Sequence, residues 1–227
     1  MRIPDYPSAD SPKWTAVDRY FNQALNLSDS CLDAVLAANA QAGLPAHDVS
    51  AAQGKMLALF VEMAGASRVL EIGTLGGYST IWMARALPKG GRLVTIEASE
   101  HHAAVARHNI HKAGLADRVD IRVGSALDVL PTLNGNFDLI FIDADKPNNP
   151  RYLHWAKKLS RPGVVIIGDN VVRGGAVADP GNDDPNALGV RAFVRMIAED
   201  DQLAATAIQT VGEKGWDGFV LAVVKPA

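Results

Sequence analysis

Short apolar runs alternate with amphipathic stretches through most of the chain. Five of these runs have the length of a buried strand: Arg68–Ile72, Arg92–Glu97, Val119–Val123, Phe137–Asp143 and Val164–Gly168. Between them, apolar residues recur at the spacing of one face of a helix. Strands that alternate with helices indicate a parallel sheet with right-handed crossovers.

Two further strands are predicted near the end of the chain, at about Leu203–Thr210 and Gly218–Val224. The turn-rich connection Gly212–Asp217 is too short for a helical crossover, so we expect this pair to be antiparallel. The pattern therefore predicts an α/β fold. It is a Rossmann-like, seven-stranded, mostly parallel sheet with the last strand antiparallel and helices on both faces.

Three extra helices are predicted ahead of the first strand. Ser28 is placed to cap the second of them, and Ser50 begins a capping-box pattern for the third. We predict a single domain, 1–227, in which an N-terminal helical cap, 1–65, precedes an α/β core, 66–227.

Composition narrows the classes of partner. The 227 residues are 48% hydrophobic and 21% charged, with a formal net charge of −3. A negative net charge does not favour binding to nucleic acid. The single cysteine, Cys31, excludes an internal disulfide and suits a reducing compartment. No apolar run approaches the length of a membrane span, and Pro4 and Asp5 stand where a signal peptide is apolar. We expect a cytoplasmic protein with no membrane partner.

A glycine-rich turn, Gly73–Gly77, follows the first predicted strand. Such a turn at the carboxyl end of a buried strand usually lies in a binding crevice. Its G-x-x-G-G spacing differs from the G-x-G-x-x-G of dinucleotide-binding turns. Counted from Gly73, the second and third glycines of that motif would stand at positions 75 and 78, which are Leu75 and Tyr78 here. Glu97, at the end of the second predicted strand, is placed to accept both hydroxyls of a ribose.

These features favour a cofactor with a positive centre and no phosphate, so S-adenosylmethionine fits better than NAD. Two alternatives stay open at this point. One is a nicotinamide-dependent oxidoreductase on a Rossmann fold, and the other is a non-catalytic S-adenosylmethionine-binding protein.

Acidic and amide side chains end the next two predicted strands. Asp143 ends the fourth strand, and Asp169 and Asn170 follow the fifth. Because the carboxyl ends of parallel strands meet at one edge of a sheet, we expect the three to converge. Oxygen donors without Cys or His indicate a hard cation, Mg²⁺ first. Lys146 could take a proton from a hydroxyl, or it could be a surface lysine paired with Asp145.

The motifs Val69–Thr74, Gly76–Ser79, Asp143–Lys146 and Asp169–Asn170 together carry a resemblance. The chain resembles a bacterial member of the cation-dependent, class I S-adenosylmethionine O-methyltransferases, the family of catechol O-methyltransferase and caffeoyl-CoA O-methyltransferase. The likeness extends from about Val17 to the end of the chain. The motif Asp143–Lys146 is similar to the pattern of the caffeoyl-CoA enzymes and the bacterial enzymes. The animal catechol enzyme differs, because it has bulky residues between the acid and the lysine.

The resemblance implies a set of functional residues. The implied cofactor contacts are Val49, Glu71, Gly73, Ser79, Glu97, Ser125, Ala126 and Asp143. The implied ligands of Mg²⁺ or a similar divalent cation are Asp143, Asp169 and Asn170. Lys146 is the implied general base and is catalytic together with Asp143. The acceptor would be a hydroxyl of a small, catechol-type aromatic, and the assembly a homodimer. No position matches the late substrate-binding glutamate of the animal enzyme.

Two further features are predicted to face an acceptor. Residues Arg173–Asn186 are rich in Gly, Asp and Pro and are expected to form a long loop, which in a compact domain is often functional. Trp216 stands between glycines in a predicted turn and is expected to line a pocket.

Overall fold

A computed structural model describes residues 6–226. Residues 1–5, where the predicted cap begins, and residue 227 lie outside the described part. The strands are β1 Arg68–Ile72, β2 Arg92–Glu97, β3 Val119–Val123, β4 Leu139–Ile142, β5 Val165–Asp169, β6 Leu203–Gly212 and β7 Gly215–Val224. They form one seven-stranded sheet in the order β3-β2-β1-β4-β5-β7-β6.

Eight α-helices accompany the strands in the described part of the chain. They are α1 Ser11–Ala24, α2 Ser30–Gln41, α3 Ala51–Met63, α4 Tyr78–Ala86, α5 Glu100–Lys112, α6 Ala126–Val129, α7 Asn149–Lys158 and α8 Pro185–Ala198. Short 3₁₀ turns cover Leu130–Thr132, Lys146–Asn148 and Arg173–Ala178. No helix among the described residues is long and apolar enough to cross a bilayer.

The strand pairing confirms the predicted fold class. β1 and β2, β2 and β3, and β4 and β5 pair in parallel, whereas β7 runs antiparallel to both β5 and β6. The predicted turn Gly212–Asp217 is mostly strand, because the ladder continues to the pair Gly212 and Gly215. Only Glu213 and Lys214 connect β6 to β7, which is a tight two-residue hairpin.

Two compact units divide the chain, each with its own apolar core. The first unit is Asp18–Thr132, and the second comprises Leu133 onward together with the first residues up to Val17. Leu57 and Met83 are fully buried in the first, and Phe137 and Phe193 are almost fully buried in the second. All four residues of β4 are buried, which explains its continuous apolar run.

The cap of α2 differs from the sequence prediction, whereas the cap of α3 agrees with it. Asp29, not Ser28, caps α2, because its carboxylate accepts a hydrogen bond of 2.9 Å from the Leu32 N–H. Ser28 instead donates its hydroxyl to Asp33. The predicted cap at Ser50 is confirmed, since its hydroxyl accepts from the N–H of Gln53 at 3.2 Å.

The predicted long loop ends earlier than expected. Asp184 caps α8 and Pro185 is its first residue, so the helix begins before the predicted start at Leu188. Proline suits the first helical position, because its missing N–H would have no partner there.

Helix α8 packs directly on the backbone at Lys146. A Cβ at Gly189 would lie 2.2 Å from the Lys146 carbonyl oxygen and 2.7 Å from the Cα of Pro147. Only a residue without a side chain allows this approach. The position of Lys146 therefore depends on a glycine that lies 43 positions away in the sequence.

We expect Gly189→Ala to lower the free energy of unfolding by about 1–3 kcal/mol, because the new methyl group overlaps fixed backbone. Urea unfolding measures this. Gly181→Ala is the control, since a Cβ there meets only the Asp179 carboxylate at 3.5 Å. In a helix without this contact, replacing glycine by alanine would instead raise the stability by about 1 kcal/mol, because alanine is the better helix former. Equal or greater stability of Gly189→Ala would show that the helix moves away without cost.

Candidate active site

The carboxylate of Glu97 holds the glycine turn of the first unit. Its Oε2 accepts hydrogen bonds from the backbone N–H groups of Thr74 at 3.2 Å and Leu75 at 2.8 Å. Its Oε1 accepts from the N–H of Ser99 at 2.9 Å. Leu75 has a φ of +50°, a left-handed conformation that costs energy for a residue with a side chain. Glu97 therefore stabilises a strained turn beside its own carboxylate.

The glycines of this turn have different roles. Gly73 and Gly77 have φ values of +100° and +85°, which glycine adopts without steric cost. Gly76 does not have a positive φ, but a Cβ there would lie 2.0 Å from the side-chain oxygen of Asn39. The sequence suggested that these glycines admit a ligand. At Gly76 the space is taken by Asn39 instead.

Glu71 is fully buried and is surrounded by hydroxyl groups. Its Oε1 accepts from Ser79 Oγ at 2.6 Å, and its Oε2 accepts from Thr80 Oγ1 at 2.5 Å and Thr95 Oγ1 at 2.7 Å. Hydrogen bonds of this kind offset the loss of water around a buried carboxylate. The structure thus gives Glu71 and Ser79 a role in packing the first unit, and their cofactor contacts stay predictions.

The other predicted cofactor contacts of the first unit lie next to strand and helix ends. Val49 is buried and directly precedes the cap of α3. Ser125 caps α6 and Ala126 begins it, right after β3. The N–H of Gly124 donates to the Glu97 carbonyl oxygen at 2.9 Å, so the segments that follow β2 and β3 are adjacent.

Lys146 is buried in the second unit and forms an ion pair with Asp143. Its side chain is only 6% exposed, and its Nζ lies 3.0 Å from Asp143 Oδ1. Asp145 binds other groups, accepting from Tyr152 Oη at 2.5 Å and Asn148 Nδ2 at 2.6 Å. The alternative of a surface lysine paired with Asp145 is therefore wrong. A buried ammonium group requires a compensating charge, and Asp143 supplies it.

Asp169, at the end of β5, is a buried acid near the partly exposed Asp143. Burial, together with the charge of Asp143, raises the pKa of Asp169 to about 7. Asn170 has a φ of +55°, and its N–H donates to Asp169 Oδ1 at 2.9 Å. Asp143, Lys146 and Asp169 thus interact electrostatically. The predicted convergence of Asp143, Asp169 and Asn170 on a cation stays a prediction.

Asp217 anchors the backbone that follows these residues. One oxygen, Oδ1, accepts from the N–H groups of Val172, Arg173 and Gly218, each at 3.0 Å. Burial raises the pKa of Asp217 above its usual range. Its carboxylate therefore orients the segment that begins right after Asn170.

The donors of this cluster fit a hard divalent cation. The described residues contain no group of three or more His, Cys, Asp or Glu that could hold a metal ion. The predicted ligand set is instead two carboxylates, Asp143 and Asp169, with the amide oxygen of Asn170. Oxygen-only donors are those that Mg²⁺ prefers, and a cation would relieve the repulsion between the buried Asp169 and the partly exposed Asp143.

Comparison with known proteins decides the family. Residues 23–223 match the model of the O-methyltransferase family. The chain belongs to this family. Catechol O-methyltransferase of Mycobacterium tuberculosis is 54% identical to it, over 92% of this chain and 95% of the relative. The catechol O-methyltransferase of Niastella koreensis is 50% identical, over 92% and 97%.

Solved structures agree with this O-methyltransferase assignment. An O-methyltransferase from Bacillus cereus, crystallised in complex with SAH, is 59% identical with a TM-score of 0.93, and the match covers 94% of this chain and 99% of that one. The resemblance seen in the sequence motifs is therefore confirmed. An O-methyltransferase is favoured over the nicotinamide-dependent oxidoreductase.

The long loop of this O-methyltransferase is held by an arginine. Arg191, on α8, donates to the carbonyl oxygens of Ala176 and Val177 at 2.9 Å and of Asn182 at 3.0 Å, and also to that of Asp179. Four backbone carbonyls bound to one guanidinium give the loop a defined shape.

Trp216 lies in β7, so its predicted place in a turn is wrong. It is partly exposed, and its Nε1 donates to Gln209 Oε1 at 3.0 Å. A Cβ at Gly175 would lie 2.9 Å from the Trp216 ring, so the indole packs against the long loop. A role for Trp216 in lining a pocket stays a prediction.

Several residues that organise the O-methyltransferase site were missed in the sequence. Asn39, Asn109 and Asp217 each bind groups at least 33 positions away in the chain, and Arg191 binds carbonyl oxygens 9 to 15 positions before it. Asn109 offered a signal, because it stands beside the buried residues Ala106 and Ile110 on an apolar helix face. A polar residue on such a face needs a partner.

Proposed function

We propose that this chain transfers a methyl group from S-adenosylmethionine to one hydroxyl of a small, catechol-type aromatic, with Mg²⁺ or a similar divalent cation bound. The observation that carries the proposal is the ion pair between the buried Lys146 and Asp143, beside the buried Asp169. Two relatives at 50% identity or more are named catechol O-methyltransferases, which supports the acceptor class. The expected homodimer and cytoplasmic location stay predictions.

The cofactor would be bound by strand ends and the turns that follow them. Glu97 would accept the ribose hydroxyls, since hydrogen bonds to Thr74, Leu75 and Ser99 already hold its carboxylate in place. The remaining proposed contacts are Val49, Glu71, Gly73, Ser79, Ser125, Ala126 and Asp143. Asp143, Asp169 and Asn170 would hold the cation.

The reaction follows from the charges around Lys146. S-adenosylmethionine supplies an electrophilic methyl group, and a divalent cation favours the ionised form of a hydroxyl bound to it. The Lys146 ammonium first gives a proton to solvent, so that Nζ becomes a neutral amine. It would then accept the proton of the acceptor hydroxyl, and the Asp143 carboxylate would stabilise the ammonium that forms again. Transfer of the methyl group from S-adenosylmethionine to the acceptor oxygen would leave S-adenosylhomocysteine and a methyl ether. The proton passes from Lys146 to solvent.

We expect the purified protein to methylate caffeate in the presence of S-adenosylmethionine and Mg²⁺, to stop when EDTA is added, and to recover with excess Mg²⁺. Asp169→Asn should lose activity on the order of 100-fold or more, because the cation contributes several kcal/mol. The exposed Asp201→Asn is the matched control. Mass spectrometry of the product and calorimetry with the cofactor measure these effects.

Other outcomes of that experiment identify the alternatives. Full turnover after chelation would remove the cation from the proposal. Binding of S-adenosylmethionine without turnover of any hydroxylated aromatic would favour the non-catalytic cofactor-binding protein.

We expect Lys146→Met to lower kcat by about 10²–10⁴, since removal of a general base has effects of this size. The dissociation constant for S-adenosylmethionine should stay near that of the unchanged protein. Lys158→Met is the control, because Lys158 is exposed and lies over the Trp155 ring. A kcat equal to that of the control would leave Lys146 as a structural partner of Asp143.

Catechols should react faster than matched monophenols. Asp143, Asp169 and Asn170 would supply three oxygens to a cation such as Mg²⁺, which takes about six, so other oxygens could bind it as well. Two adjacent phenolic oxygens would both bind and fix the ring, whereas a single phenol would be held less well. Misplacement of about 1 Å can cost a factor on the order of 10². We expect kcat/KM for caffeate to exceed that for 4-coumarate by about this factor, and equal values would contradict chelation of the acceptor.

A further inference from the structure

A chain of buried amide groups ties the glycine turn to two helices of the first unit. Asn109, on α5, donates from Nδ2 to the carbonyl oxygen of Gly76 and to Asn39 Oδ1, both at 2.9 Å. Asn39, on α2, donates from its own Nδ2 to Asp48 Oδ1 at 2.8 Å. Asn39 and Asn109 are each only 2% exposed. We call Asn39, Asp48 and Asn109 the amide relay.

The order of donors and acceptors in the amide relay is determined by its two ends. The carbonyl of Gly76 can only accept, so Asn109 must present its NH₂ group to it. The carboxylate of Asp48 also accepts, so Asn39 must present its NH₂ group there and its oxygen to Asn109. Asn39 uses both of its polar groups, and the NH₂ group of Asn109 donates twice, as expected of buried polar side chains.

Both ends of the amide relay reach segments that we have proposed to contact the cofactor. One end is the peptide carbonyl of Gly76, in the turn whose other side is held by Glu97. The other end is Asp48, the residue before Val49. A side chain at Gly76 would overlap the Asn39 amide, so the turn and the amide relay are in close contact.

We propose that Asn39 is a positioning residue for cofactor binding, which sets the glycine turn and the Val49 segment in the geometry that S-adenosylmethionine requires. This rests on the proposed function. A site already held in its bound geometry loses less entropy when the ligand binds. Without Asn39, the turn and the segment before α3 would be ordered only when the cofactor arrives, and affinity would fall.

A reversal of the hydrogen bond tests this role. Asn39→Asp keeps the oxygen that faces Asn109 but places a second carboxylate against Asp48. Adding Asp48→Asn supplies an NH₂ group at position 48, so the bond forms again with donor and acceptor exchanged. Val35→Ala is the control for stability alone, because Val35 is a buried apolar residue of α2 outside the amide relay.

The measurements are calorimetric titration with S-adenosylmethionine and urea unfolding of each variant. We expect Asn39→Asp to raise the dissociation constant about tenfold or more, as for the loss of a hydrogen bond to a charged group. The double variant should recover most of this affinity. Val35→Ala should lose stability while its dissociation constant stays within about twofold of the starting value. In steady state, KM for the cofactor should rise while kcat at saturation changes little.

Three results would overturn the positioning role. They are unchanged affinity in Asn39→Asp, a similar loss in Val35→Ala, and no recovery in the double variant. If Asn39→Asp does not fold, Asn39→Ser replaces it, because a serine hydroxyl cannot reach Asn109 and Asp48 together, and the same comparison with Val35→Ala applies. Failure of the unchanged protein to bind S-adenosylmethionine would instead overturn the proposed function, and with it this inference.

Discussion

The loss of water around buried carboxylates is the constraint that shapes both units of this protein. A charged group removed from water requires hydrogen-bond donors or an opposite charge nearby. Glu71 obtains three hydroxyl groups, and Glu97 obtains three backbone N–H groups. In the second unit, the buried ammonium group of Lys146 obtains the partly exposed carboxylate of Asp143. In each case the hydrogen bonds or the ion pair also hold the segment that provides the donors in one conformation.

The buried acids differ in how far the protein itself satisfies them. Glu71 is enclosed by hydroxyls, which suits a structural role at the base of the glycine turn. Asp169 is buried next to Asp143, and its pKa is raised first by that burial and then by the negative charge of Asp143. Two neighbouring carboxylates repel each other, and a bound cation would relieve that repulsion. The distinction separates the residues that build the fold from those that are proposed to act on an acceptor.

The loop between β5 and α8 has a defined shape for the same physical reason. Backbone carbonyls without partners are costly when they are removed from water, and Arg191 binds four of them. Asp217 accepts hydrogen bonds from the N–H groups of Val172 and Arg173, at the start of this region, and of Gly218 in β7. The loop that sequence analysis assigned to acceptor selection is thus held by two side chains from neighbouring elements.

The sequence by itself determined the strands and the chemistry-bearing motifs. β1, β2 and β3 have the predicted bounds, because apolar runs between turns or polar segments are local signals. Tertiary structure decided which groups bind each other. Lys146 pairs with Asp143 and not Asp145 because the next turn directs Asp145 to Tyr152.

The partners of Asn39 could not be read from the sequence at all. Asn109 lies 70 positions away and becomes a partner only when α2 and α5 pack together. Local patterns of the sequence do not show which elements contact each other when they are distant in the chain. The sequence therefore determines where polar residues stand, and packing determines what they bind.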